Sequence, residues 1–175
     1  MAQWLAKNGI TAVVLQYRLP NGHKEVPLED AVEALRIVRK KANKWGVDPA
    51  KVGIMGFSAG GHLAASVSNK PAVEDRPNFS ILFYPVLTAG DFNTHRGSFR
   101  NLLGKKHNEA EADEWAMDKI ASEQTPPTIL LLSDDDTTVP AAGAALYYAA
   151  LRYHGVKAAM YIFPTGGHGW GNYDT

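Results

Sequence analysis

Lys51-Val52-Gly53-Ile54-Met55-Gly56-Phe57-Ser58-Ala59-Gly60-Gly61-His62 changes character halfway along. Lys51 to Phe57 is a short apolar run of strand type, and from Ala59 to about Ser68 small residues recur at helical spacing. A strand that passes straight into a helix through Gly56-Phe57-Ser58-Ala59-Gly60 sets Ser58 on a tight turn clear of the sheet. Glycines on both sides let neighbouring backbone pass close to it. The plainer reading of the same residues is a connection whose serine caps the helix.

Outward from this turn, β-branched runs alternate with helical stretches, the pattern of a parallel sheet with crossover helices. Met1 to Asn8 reads as the end of a helix stopped by Gly9, and Ile10 to Leu19 as a buried strand. Pro27 suits the first turn of a helix whose Leu28, Val32, Leu35 and Ala42 share one face. Its other face carries Arg39, Lys40, Lys41 and Lys44, which read as solvated cations near a helix end rather than as a nucleic-acid patch. Phe79 to Pro85, Thr128 to Ser133 and Lys157 to Phe163 complete five strands, and Ala141 to Tyr153 is an amphipathic helix. The polar stretch Thr88 to Pro127 reads as an excursion over one end of the sheet, open to a use as a wall or partial lid or to a purely structural one. No repeat, low-complexity tract or linker interrupts residues 1–175, which form one domain.

Composition narrows the functions open to such a domain. A chain of 175 residues buries roughly 70% of its unfolded surface, so a core needs no metal or disulfide staple. Eighteen basic residues against eighteen acidic ones leave no basic footprint for nucleic acid or an anionic membrane. With no cysteine, disulfides, cysteine zinc sites and thiol nucleophiles are excluded, and the redox compartment stays unread. No apolar run reaches the ~20 residues of a spanning helix, and the N-terminal stretch, with Lys7 in its middle, lacks the order of a signal peptide.

A serine hydroxyl needs a base, and the base an orienting acid. In a parallel sheet both come from loops at the C-terminal strand ends, where Ser58 sits. The fourth strand ends in Ser133-Asp134-Asp135-Asp136-Thr137-Thr138-Val139-Pro140 and the fifth in Gly166-Gly167-His168-Gly169-Trp170. Of six histidines, His168 alone lies in a glycine-rich loop directly after a strand and is the candidate base. His62 follows Ser58 closely, but the helix carries it away from the hydroxyl, so packing or capping is its expected use. Three consecutive aspartates leave the acid open. A metal site on them is disfavoured because adjacent carboxylates point in different directions and no spaced ligand completes them.

Asp136-Thr137-Thr138-Val139-Pro140 resembles the D-x-x-V-P element that carries the acid in esterases and prolyl-oligopeptidase-like members of the α/β-hydrolase superfamily. The likeness extends over Gln16-Tyr17-Arg18-Leu19-Pro20, Pro27-Leu28-Glu29-Asp30-Ala31, Val52 to His62, Leu146 to Leu151 and Gly166 to Gly171. These segments resemble the acetyl esterase/lipase and acetylxylan esterase-like branch of that superfamily. The resemblance implies a three-layer, mainly parallel sheet with helices on both faces. It implies cofactor-free hydrolysis of small carboxylic esters, acetylated carbohydrate included, by Ser58, His168 and Asp136, with the Ala59 N–H in the oxyanion hole. Asp134 and Asp135 become turn residues or hydrogen-bond acceptors.

The resemblance also implies three earlier strands and an H-G-G-G-type loop supplying the second oxyanion donor, and this sequence holds no H-G-G before Ile10. Loss of one such donor corresponds to about 10²–10³ in turnover. The expectation is therefore a truncated hydrolase, with a catalytically weak assembling or binding domain and a peptidase as the alternatives. The strand before Ser58 would then present an apolar edge, to be covered by a second copy or by direct pairing with Ile10–Leu19.

Overall fold

The structure, a computed structural model, describes residues 1–90 and 94–171. Residues 91–93 of the excursion and the last four residues of the chain lie outside that description. Among the described residues the order is α1 (Ala2–Lys7), α2 (Val26–Trp45), β1 (Gly53–Phe57), α3 (Ala59–Asn69), β2 (Phe79–Phe83), α4 (Arg96–Leu103), α5 (Glu109–Asp113), α6 (Met117–Ile120), β3 (Thr128–Ser133), α7 (Ala141–Tyr153) and β4 (Ala158–Phe163). The four strands form one parallel sheet in the order β1-β2-β3-β4.

The sheet has four strands rather than five, because Ile10–Leu19 pairs with none of them. Val13, Val14 and Leu19 are 56%, 79% and 66% exposed, so the apolar run is not a buried strand. An extended segment becomes a strand only when a neighbour takes its backbone N–H and C=O groups, and apolar composition cannot supply that neighbour. Direct pairing with β1 is likewise absent. The segment is held at its far end, where Tyr17 packs on the cluster of Ala31, Val32 and Leu35 and Arg18 grips the Asp30 carboxylate at 2.6 Å.

Strand alternation separates two faces of unlike character. Leu82, Leu130 and Leu132 are nearly fully buried against Ala64 and Ala65 of α3, Met117 of α6, and Tyr147 and Leu151 of α7. Each such side chain contributes about 1.5–3 kcal/mol of transfer free energy. Ile81, Ile129 and Leu131, on the opposite face, are only partly buried, and Tyr161 and Phe163 are exposed. The expectation of helices on both faces is thus met on one face among the described residues. α2 extends that covered side past β1, joining Val52, Leu63 and Val67, and ends at Gly46 in the left-handed conformation.

The excursion supplies more core than lid. Trp115 is 2% exposed and Met117 is fully buried, and the Met117 N–H donates to the Leu87 carbonyl at 2.7 Å. Asn69, buried on α3, donates to the Tyr147 hydroxyl at 2.9 Å and accepts from Thr125 at 2.7 Å, tying α3 to α7 and to the entry of β3. Burial pushes the Tyr147 phenol up to about 12.

Close packing at the strand–helix turn gives its glycines unequal weight. A Cβ on Gly56 would lie 2.1 Å from the Gly60 carbonyl oxygen, and one on Gly61 would lie 2.8 Å from Pro85 Cβ. On Gly60 the nearest atom would be the Tyr17 hydroxyl at 4.0 Å. Gly56→Ala is therefore expected to destabilise by about 3 kcal/mol or more, at the upper end of overpacking. Gly60→Ala, inside a helix, should be neutral or stabilise by up to about 0.5 kcal/mol. Urea unfolding of the two variants beside the parent measures the difference.

Candidate active site

The rows Met55↔Ile81↔Ile129↔Ala159 and Phe57↔Phe83↔Leu131↔Tyr161 bring the C-terminal strand ends level. Ser58, Tyr84, the Asp134–Asp136 turn and the loop after Phe163 therefore open on one edge. Ser58 takes φ 52° and ψ −120°, a conformation non-glycine residues rarely adopt. It is held there by its N–H donating to the Phe83 carbonyl at 3.0 Å and its carbonyl accepting from the His62 N–H at 3.1 Å. This geometry projects the side chain above the sheet. Ala59 begins α3, so its N–H belongs to the first turn, where no helical carbonyl is available to it.

His168 stands between the other two predicted residues. The Ser58 hydroxyl donates to His168 Nε2 at 2.8 Å, and His168 Nδ1–H donates to Asp136 Oδ2 at 2.6 Å. The direction follows from the acceptor-only carboxylate, which assigns the proton to Nδ1. The other carboxylate oxygen, Oδ1 of Asp136, accepts from the Thr138 and Val139 N–H groups, both at 2.9 Å. The buried carboxylate thus has charge-assisted partners on both oxygens. These contacts explain the D-x-x-V-P spacing, since the acid bonds backbone two and three residues onward.

The three aspartates separate as their side chains diverge. Asp136 is 5% exposed and meets His168, while Asp134 and Asp135 are exposed. Asp135 accepts from the Gly166 and Gly167 N–H groups at 3.3 and 2.8 Å. His62 lies away from the hydroxyl, buried between Phe99 and Trp115, with Nε2–H donating to the Trp115 carbonyl at 2.9 Å. A cavity of about 160 Å³ borders Ala59 and runs along the His62, Leu63 and Ser66 face of α3. No group of three or more metal-ligating side chains occurs among the described residues. No described helix is long and apolar enough to cross a membrane.

Tyr84 escaped the sequence reading. It has φ 34°, lies 4.6 Å from the His168 ring between centroids, and its hydroxyl donates to the Trp170 carbonyl at 2.8 Å. The sequence places it within the run Phe79 to Pro85, whereas β2 ends at Phe83 and leaves Tyr84 on the edge where Ser58 sits. Trp170 packs edge-on against Phe83 and Phe163, each at 5.6 Å, which secures the far side of the His168 loop.

A strained serine between a strand and a helix, hydrogen-bonded to a histidine from the loop after the last strand, which in turn meets an aspartate after the strand before it, is the arrangement of a hydrolase-type sheet. Residues 1–172 match the family described as alpha/beta hydrolase fold, and the chain belongs to that family. An acetylxylan esterase of Xylanibacter ruminicola is 41% identical over 174 residues, 97% of this chain and 36% of that protein. The solved acetyl ester-xyloside bifunctional hydrolase of Caldicellulosiruptor lactoaceticus superposes with a TM-score of 0.89 at 39% identity, covering 97% of this chain and 66% of that one. The propionate-bound esterase of Thermogutta terrifontis superposes with a TM-score of 0.78 at 29% identity, with the same two coverages. The chain therefore spans about a third of the curated relative and about two thirds of the solved ones.

Burial also gives the neighbourhood of Ser58 a pH sensitivity of its own. It pushes the His62 pKa below the ordinary 6.5; nearby Lys70 adds to the shift and the bond to Trp115 opposes it. The unfolded chain thus takes up a proton more readily than the fold as pH drops below 6.5, so the His62 contribution to stability, full above that pH, is lost on acidification. The urea midpoint should fall between pH 7 and pH 5.5, and His62→Gln should flatten that part of the slope.

Proposed function

We propose that the chain hydrolyses carboxylic esters of small acyl groups, acetylated carbohydrate among them. The observation that carries this reading is the unbroken hydrogen-bonded path from Ser58 Oγ through His168 to the buried Asp136 carboxylate. Ser58 Oγ attacks the ester carbonyl as His168 Nε2 takes its proton. The resulting imidazolium is stabilised by Asp136, which also holds the tautomer with Nε2 free to accept. His168 then returns the proton to the leaving alcohol, and water repeats the sequence on the acyl-serine. The Ala59 N–H, at the positive end of α3, is one donor to the oxyanion. Support for the substrate class comes from two relatives, an acetylxylan esterase and an acetyl ester-xyloside bifunctional hydrolase.

Hydrolysis of p-nitrophenyl acetate by the chain beside Ser58→Ala tests the reading. Turnover should fall by about 10³-fold or more in the variant, and equal rates in the two would remove the proposal. Asp136→Asn should impair turnover far more than Asp134→Asn, because only Asp136 reaches the imidazole.

We propose as well that the chain self-associates. β1 forms an edge of the sheet, and Tyr161, Ile162 and Phe163 are 53%, 43% and 45% exposed on β4. Both features favour pairing with a second copy. Light scattering should show mass rising with concentration, and a constant monomer mass at all concentrations would remove this element.

A further inference from the structure

The loop that carries His168 is built to move unless something holds it. Gly166, Gly167 and Gly169 have φ of 148°, 61° and 95°, conformations open mainly to glycine. A run of glycines loses more conformational entropy on ordering than any other sequence. The bonds from His168 to Ser58 and Asp136 cannot be the sole restraint, because the first changes as the proton passes to Nε2 and back and the second holds the imidazole rather than the loop backbone. A lasting restraint has to act on the loop backbone through groups that exchange no proton with the substrate.

Two side chains outside the Ser58–His168–Asp136 path meet that requirement from opposite sides. Before His168, the Asp135 carboxylate accepts from the Gly166 and Gly167 N–H groups. After it, the Tyr84 hydroxyl donates to the Trp170 carbonyl, and the Tyr84 ring lies against the imidazole. Gly166 also sits so close to Ser133 that a Cβ there would be 2.5 Å from the Ser133 hydroxyl oxygen, so the loop rests on the end of β3. Tyr84 itself keeps a positive φ, a strained conformation for a non-glycine residue that persists only where the surroundings enforce it. The Tyr84 N–H, donating to the Leu131 carbonyl at 2.8 Å, is one such enforcement.

We propose that Asp135 and Tyr84 are positioning residues for the base, clamping the His168 loop by its backbone on both sides so that the imidazole stays aligned between Ser58 and Asp136. This rests on the ester-hydrolase reading for its kinetic consequence but not for its structural one. In this role each residue acts on the loop backbone rather than on the path of the proton. The middle aspartate of the triplet thereby acquires a use distinct from that of Asp136, and the aromatic residue after β2 acquires one beyond packing.

The test compares Asp135→Ala, Asp135→Asn and Tyr84→Phe with the parent chain in two measurements. With p-nitrophenyl acetate, corrected for folded fraction and for active serines by burst titration, kcat should fall about 10–100-fold in Asp135→Ala, the scale of a misaligned reacting group. KM should change little, and Asp135→Asn, which retains one acceptor oxygen, should recover part of the loss. Combining Asp135→Ala with Tyr84→Phe should give a loss different from the product of the single losses, since both restrain one loop. Independently of turnover, the His168 Nδ1–H proton resonance should broaden or shift and the Gly167 amide should exchange faster in the variants. If no variant alters the burst-corrected kcat, the resonance or the exchange, the clamp is overturned. A chain with no Ser58-dependent turnover removes the ester-hydrolase reading instead, and the resonance and exchange measurements still decide the clamp.

Discussion

A single strained backbone conformation, Ser58 at φ 52° and ψ −120°, is the constraint around which the remaining structure is arranged. It persists because α3 lies so close to β1 and to Pro85 that no side chain fits at Gly56 or Gly61. The Phe83 carbonyl takes the Ser58 N–H, so the turn is anchored to β2 as well as to its own strand. A strained turn of this kind is stable only when packing on several sides over-determines it. α3 accordingly carries some of the most buried residues of the chain, Ala65, Ser66, Val67 and Ser68, all without exposed surface.

The polar groups near this turn are partnered by different rules. Asp136 loses its hydration and is compensated by two backbone N–H groups and the imidazole. His62, three residues into α3, is compensated by a single carbonyl and is kept neutral by burial. Asp135 stays in water, where its bonds to Gly166 and Gly167 restrain a loop without the desolvation a buried carboxylate would require. Three histidine- or carboxylate-bearing positions thus carry different tasks through burial rather than through residue type.

The sheet is asymmetric in a way that composition conceals. Leu82, Leu130 and Leu132 point to helices, while Ile81, Ile129 and Leu131, equally apolar, point to a face the described helices leave open. A continuous apolar run is what strands buried on both faces show, and Phe79–Pro85 and Thr128–Ser133 are such runs in the sequence. The same residues in the structure alternate in burial. Ile10–Leu19 is the stronger case, since its composition signals burial and its backbone finds no pairing partner.

Local pattern was enough to determine the strand–helix turn at Ser58, the span of α7, the span of β3, the candidates Ser58 and His168, and the aspartate triplet that holds the third. Each depends on interactions within a few residues: glycine at a tight turn, helical periodicity, and an acid that bonds backbone two and three positions ahead. The Asp136 assignment also drew on family resemblance, because three adjacent carboxylates are equivalent until their directions in space are known. Tertiary structure alone decided that Gly61 rather than Gly60 is sterically required, that Trp115 and Met117 of the excursion are core, and that Tyr84 lies against His168. It also decided that Ile10–Leu19 is no strand. These outcomes share a physical reason: each depends on what stands beside a residue from a distant part of the chain, and neither hydrophobicity nor propensity encodes the identity of that neighbour.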